Sequence, residues 1–224
     1  MTSSTQVYGE PWYWDNRYTN EPGPFDWYQK YITLAPIISL YVPPTQRILI
    51  VGCGNSAFSE GMVVDGGYTD VVNIDISSVV IEAMKSKYRD FPQLKYVKMD
   101  VRNMSDFESE SFDAAIDKGT LDSILVSVVM VHRNASDIWS SAISPTFATG
   151  IMLMDNKTPC HSVMLYAEKL ASEEKSDQPV WELTKPVPLN DDGTSVEEAL
   201  GRNPDVHYIY ICTKEISANS NTKP

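Results

Sequence analysis

Four short apolar runs, each stopped by Gly or Asp, constrain this chain more than any other feature. Arg47-Ile-Leu-Ile-Val51 ends at Gly52, Asp70-Val-Val-Asn-Ile74 at Asp75, Leu94-Lys-Tyr-Val-Lys-Met99 at Asp100, and Phe112-Asp-Ala-Ala-Ile116 at Asp117. Runs this short and this apolar suit strands covered on both faces, the usual situation in parallel sheets. Between the first two, Ser59 to Val64 suits a short helix closed by Gly66 and Gly67. Between the second and third, Ser77 can cap a helix reaching about Arg89, with Val80, Ala83, Met84 and Tyr88 along one apolar face. Strands alternating with helices over short connections predict a parallel α/β sheet.

Later elements are harder to read. Gly150-Ile-Met-Leu-Met154 suits a fifth strand, Trp181-Glu-Leu-Thr a further piece, and Val206 to Thr213 a late strand; Asn190-Asp-Asp-Gly193 has turn composition. Ahead of the sheet, three Trp (Trp12, Trp14, Trp27) and five Tyr (Tyr8, Tyr13, Tyr18, Tyr28, Tyr31) crowd a segment broken by Pro11, Pro22 and Pro24. Such density suits an arm packed across the core or an aromatic lid over a ligand. The expected organisation is one domain over residues 1–215, with residues 1–31 as the arm and 216–224 as a flexible tail.

Charge narrows the partners. Thirty acidic against eighteen basic side chains give a net charge of −12, which disfavours general nucleic-acid binding, since that draws on clustered Lys and Arg. No stretch approaches the roughly 20 apolar residues a membrane helix needs. No leader is visible, and three Cys do not make a disulfide framework, so a cytoplasmic protein is expected. His132, His161 and His207 show no metal-ligand spacing with the cysteines, and no metal is expected.

In open α/β sheets ligands sit at the carboxyl ends of the strands. Here those ends carry Gly52-Cys-Gly54, Asp75, Asp100 and Asp117-Lys-Gly119. Glycines let a backbone approach a ligand closely, and a carboxylate about 20 residues on can accept from ribose hydroxyls. A nucleoside-containing cofactor follows. Gly52-Cys-Gly-Asn-Ser-Ala57 resembles a dinucleotide fingerprint, so an NAD-dependent oxidoreductase is one alternative. Against it, no helix start is clearly offered to a pyrophosphate. A third acid, Asp100, is placed to accept from an adenine amino group while the next backbone N–H donates to the ring. That combination suits S-adenosylmethionine, which has ribose and adenine but no phosphates.

Five strings occur in order: Tyr13-Trp-Asp-Asn-Arg-Tyr18, Phe25-Asp-Trp-Tyr28, Ile48-Leu-Ile-Val-Gly-Cys-Gly-Asn-Ser56, Met99-Asp-Val-Arg102 and Asp117-Lys-Gly-Thr-Leu-Asp122. Together they resemble the methyltransferase-like family of elongation factor 1-alpha lysine methyltransferases, and the tail looks most like its plant-type members. The resemblance implies a Rossmann-like class I methyltransferase fold: a mostly parallel seven-strand sheet with helices on both faces. It further implies S-adenosylmethionine contacts from Trp14, Tyr18, Trp27 and Gly52, with Asp75 and Ile76 flanking the ribose. Asp100 and Val101 would flank the adenine, and Lys118 would lie near the methionine end. The implied substrate is a protein, elongation factor 1-alpha, methylated on lysine.

Methyl transfer to an amine needs alignment and exclusion of water rather than a protein nucleophile. The acceptor lysine must be neutral, against an ordinary pKa of ~10.4. Asp117 is one conceivable proton acceptor, Asp122 suits either a helix cap or a substrate contact, and no catalytic residue is assigned. Cys53 suits packing better than nucleophilic catalysis. Over about 124–167 the resemblance breaks, so the sheet is expected to be incomplete around strand five if the segment comes from altered splicing. A cofactor-binding but catalytically impaired isoform is the companion alternative.

Overall fold

The computed structural model describes residues 7–128, 149–155, 181–183 and 207–214. The turn at 190–193, the tail after 215, and most of segment 124–167 lie outside the described residues.

The apolar runs become strands where the alternation of helix and strand requires them: β1 (Arg47–Val51), β2 (Asp70–Asp75), β3 (Leu94–Lys98) and β4 (Ala114–Lys118). All pair in parallel, in the order β3-β2-β1-β4. Ile48, Leu49, Ile50 and Val51 are all buried, each worth roughly 1.5–3 kcal/mol relative to exposure. Pairing continues past the strand ends, since Cys53 N–H donates to the Ile74 carbonyl and Met99 N–H to that of Asp75, both at 2.9 Å. On the other side β5 (Thr149–Asp155) lies parallel to β4; β7 (His207–Lys214) runs antiparallel to β5, and β6 (Trp181–Leu183) antiparallel to β7.

Helices α3 (Phe58–Val64), α4 (Ser78–Lys87) and α5 (Thr120–Val128) follow β1, β2 and β4. Ser77 caps α4 as its position suggests: its Oγ accepts from Val80 N–H at 3.3 Å. The chain thus winds outward from β1 through β2 to β3, then returns to β4 on the far side of β1. Strand order reverses between β1 and β4, and the crevice opens there.

Two helices that the sequence pattern does not announce precede the sheet. Pro11 is the first residue of α1 (Pro11–Asn20), where its missing N–H costs nothing, so this proline opens a helix rather than breaking one. Helix α2 (Tyr31–Tyr41) contains Pro36 and is apolar nearly all round; Tyr31, Leu34 and Ile38 are its buried side, packed with α3. The arm expected over residues 1–31 thus holds α1 and a connecting strap that leads into α2.

Candidate functional site

A single pocket at the carboxyl ends of β1, β2 and β4 is bounded by all nine residues expected to meet a cofactor: Trp14, Tyr18, Trp27, Gly52, Asp75, Ile76, Asp100, Val101 and Lys118. Its empty volume is about 1020 Å³, counting open solvent at the mouth.

Helix α1 supplies one wall. Trp14 and Tyr18 stand one turn apart on the same face and stack with ring centres 5.9 Å apart, and Trp14 Nε1 donates to the Tyr8 carbonyl at 2.7 Å. The helix is tied down by Asp15, whose carboxylate accepts from Ser77 Oγ at 2.6 Å and from Val79 N–H at 3.3 Å. Burial pushes the Asp15 carboxyl up, but these donors at the α4 N-terminus outweigh it and hold the pKa below the usual value.

Gly52 follows β1 with φ +61°, a left-handed conformation that favours glycine. Asp75 ends β2, with one carboxylate oxygen accepting from Gly54 N–H and the other from Ser77 N–H, both at 2.9 Å. Burial dominates these hydrogen bonds and raises its pKa to about 6. Each oxygen keeps a lone pair for a further donor.

Asp100 lines the pocket as expected, and its carboxylate also accepts from its neighbour Arg102: Nε at 2.9 Å, Nη2 at 2.6 Å and the backbone N–H at 2.9 Å. Burial acts upward on its pKa, but the Arg102 hydrogen bonds and charge bring it below the usual range. The Asp100 carbonyl also closes a turn with Asn103 N–H.

Lys118 ends β4 partly buried, its side chain 9% exposed. Its Nζ donates to the Trp27 carbonyl at 3.0 Å and lies 3.5 Å from the Asp26 carboxylate. Burial lowers its pKa, with Asp26 opposing. Ser56 Oγ also donates to Asp26. This cluster was missed because Asp26 and Lys118 are 92 residues apart, and no local spacing reveals such a pair.

Asp117 does not line the pocket. It is buried and accepts from Thr120 N–H and Leu121 N–H, each at 3.2 Å, so it caps the start of α5 and is no proton acceptor for a ligand. Burial raises its pKa to about 7, with those N–H groups opposing and Asp122 assisting. Asp122 accepts the Tyr28 hydroxyl at 2.6 Å. Cys53 is buried in the core cluster with its thiol pKa pushed up by burial, a poor nucleophile.

The charges decide what the pocket can hold. Its basic lining residues are Arg17, Arg102 and Lys118, and each has a carboxylate partner: Glu21, Asp100 and Asp26. Among the described lining residues each cation is paired with a carboxylate, and aromatic faces and carboxylates are present for a ribose, an adenine and a sulfonium. The donor set fits S-adenosylmethionine.

Residues 49–136 match the family described as "Methyltransferase domain". The chain is 40% identical over 128 residues to the "eEF1A lysine and N-terminal methyltransferase" of Bos taurus, covering 56% of this chain and 18% of that protein. It is 41% identical over 120 residues to "EEF1A lysine methyltransferase 4" of Bos taurus, covering 53% of this chain and 46% of that protein. The chain thus spans less than half the length of either relative. An rRNA methylase from Escherichia coli has a similar backbone, with TM-score 0.53 and 14% identity over 82% of this chain and 64% of that one.

Proposed function

We propose that this chain, whose residues 49–136 match the methyltransferase-domain family and which is similar to eEF1A lysine methyltransferases, transfers a methyl group from S-adenosylmethionine to a lysine of a translation elongation factor. The fold is that of a class I methyltransferase. Its full seven-strand form is part of the proposal, supported by the order β3-β2-β1-β4-β5-β7-β6.

The observation that carries the proposal is the convergence of the nine residues on one pocket whose cations are all paired. Bound there, S-adenosylmethionine supplies a methyl group already activated by its sulfonium. The chain's own residues have the tasks of binding and exclusion. Asp75 accepts from ribose hydroxyls, while Trp14, Tyr18 and Trp27 offer apolar faces that keep water out and favour positive charge. Asp100, held by Arg102, offers its remaining acceptor capacity to the adenine amino group, and Val101 its backbone N–H. An acidic chain suits a basic protein substrate, and we place both in the cytoplasm.

Calorimetric titration of the chain with S-adenosylmethionine tests the reading, with NAD and an Asp75→Ala variant as controls. Micromolar binding by the wild type, lost in the variant and absent with NAD, is expected. A folded chain that takes NAD and not S-adenosylmethionine would overturn it.

A further inference from the structure

The pocket's outer wall is a strap, residues 22–28, between α1 and α2. At its end Gln29 N–H donates to the Trp27 carbonyl at 2.8 Å. Side chains from the sheet and its loops also hold it. Asn55 donates to the Gly23 carbonyl, Ser56 to Asp26, and Lys118 to the Trp27 carbonyl.

The last attachment is the unusual one. Tyr28 has φ 61°, a left-handed backbone that an aromatic residue adopts only when its surroundings impose it. Its ring lies against the β4–α5 turn at Gly119, where an added Cβ would stand 3.1 Å from Tyr28 Cε2. Beyond that glycine, in the first turn of α5, Asp122 is buried and accepts the Tyr28 hydroxyl. A short bond to a carboxylate is among the stronger neutral-to-charged hydrogen bonds. Trp27, which lines the pocket, is the next residue back along the strap.

We propose that Asp122 is a positioning residue: it holds Tyr28 in its strained conformation and so keeps Trp27 closed over the pocket, setting how fast a bound ligand leaves. Asp122 itself is not among the lining residues. The part concerning ligand release rests on the cofactor assignment above; the part concerning the strap does not.

Two measurements on the full chain separate these parts. The first is hydrogen exchange of the ligand-free protein. Tyr28→Phe and Asp122→Ala should each speed exchange at the Gln29 amide, which donates to the Trp27 carbonyl, about tenfold, the loss of one strong hydrogen bond. Combining them should add nothing, because both remove the same bond. Asp122→Asn keeps a carbonyl acceptor and should restore most of the protection. Amides of β1 and β2 should not change. The second is stopped-flow release of S-adenosylhomocysteine, expected to be about tenfold faster in the same two variants. Unchanged exchange at the Gln29 amide in Tyr28→Phe, additive effects, or equal acceleration in β1 and β2 would each overturn the role of Asp122. A wild-type chain that binds no S-adenosylhomocysteine sinks the cofactor assignment and with it the release step, while the exchange pattern still decides the strap.

Discussion

Replacing Gly52 by alanine puts the link between the first loop and α5 to a direct test. A Cβ built on Gly52 would stand 1.8 Å from Thr120 Oγ1 and 2.8 Å from both Thr120 Cβ and Cγ2, where carbon atoms need 3.5–4.0 Å. Thr120 is branched at Cβ, so turning its side chain only exchanges one clash for another. The start of α5 must move, and the 2.9 Å hydrogen bond from Thr120 Oγ1 to the Val51 carbonyl is lost. That loss costs about 0.5–1.5 kcal/mol. The left-handed backbone, φ +61°, adds roughly 1–2 kcal/mol for a residue with a Cβ. These two contributions alone should destabilise Gly52→Ala by about 1.5–3.5 kcal/mol, with the displacement of α5 adding to them, read as a fall in the urea midpoint at constant slope. Adding Thr120→Gly removes the steric part, so the double variant should recover about 1 kcal/mol or more over Gly52→Ala alone. A cost below about 1 kcal/mol, or a second substitution that brings no recovery, would refute the reasoning.

Two further outcomes concern protonation. Asp75 titrates at about 6 in the folded chain, up from 3.8, and a ribose donor favours its ionised form. The affinity for S-adenosylhomocysteine should weaken as pH falls below 6, by up to about tenfold per unit, and an Asp75→Asn variant should lack that trend; equal trends in both would count against the ribose contact. Asp117, raised from 3.8 to about 7, keeps its proton longer in the folded state than in the unfolded one. Its contribution to stability is full below pH 4 and declines as pH rises to 7, so Asp117→Asn should flatten the fall in urea midpoint between pH 4 and pH 7. Parallel slopes for wild type and variant would remove Asp117 from that role.

What could be read from the chain beforehand divides along physical lines. Strands β1 to β4 were legible because each is a compact run whose burial leaves a mark on adjacent residues, and the Ser77 cap because its partner is three residues away. Helix α2 carries the helical spacing Tyr31, Leu34, Ile38, but Ile32, Ile37 and Leu40 on its other sides erase the contrast that periodicity depends on. Helix α1 was hidden by Pro11, which marks a helix start as readily as a break. Within the site, the strand-end residues were placed by topology, whereas Asp15 with Ser77 and Asp26 with Lys118 join segments far apart in sequence. Asp100 is the instructive middle case. Arg102 is only two residues on, yet nothing in the spacing showed that the guanidinium would fold back onto the carboxylate.

The attachments of the strap also bear on the order in which the molecule assembles. Tyr28 meets Asp122 across 94 residues of chain, and Asp26 meets Lys118 across 92. The strap therefore waits for β4 and the first turn of α5 before its own wall can close. Closing a loop that long carries an entropic cost that only the finished sheet can offset. Strands β1 and β2 can pair while that segment is still free, and the pocket is completed after the sheet that supports it.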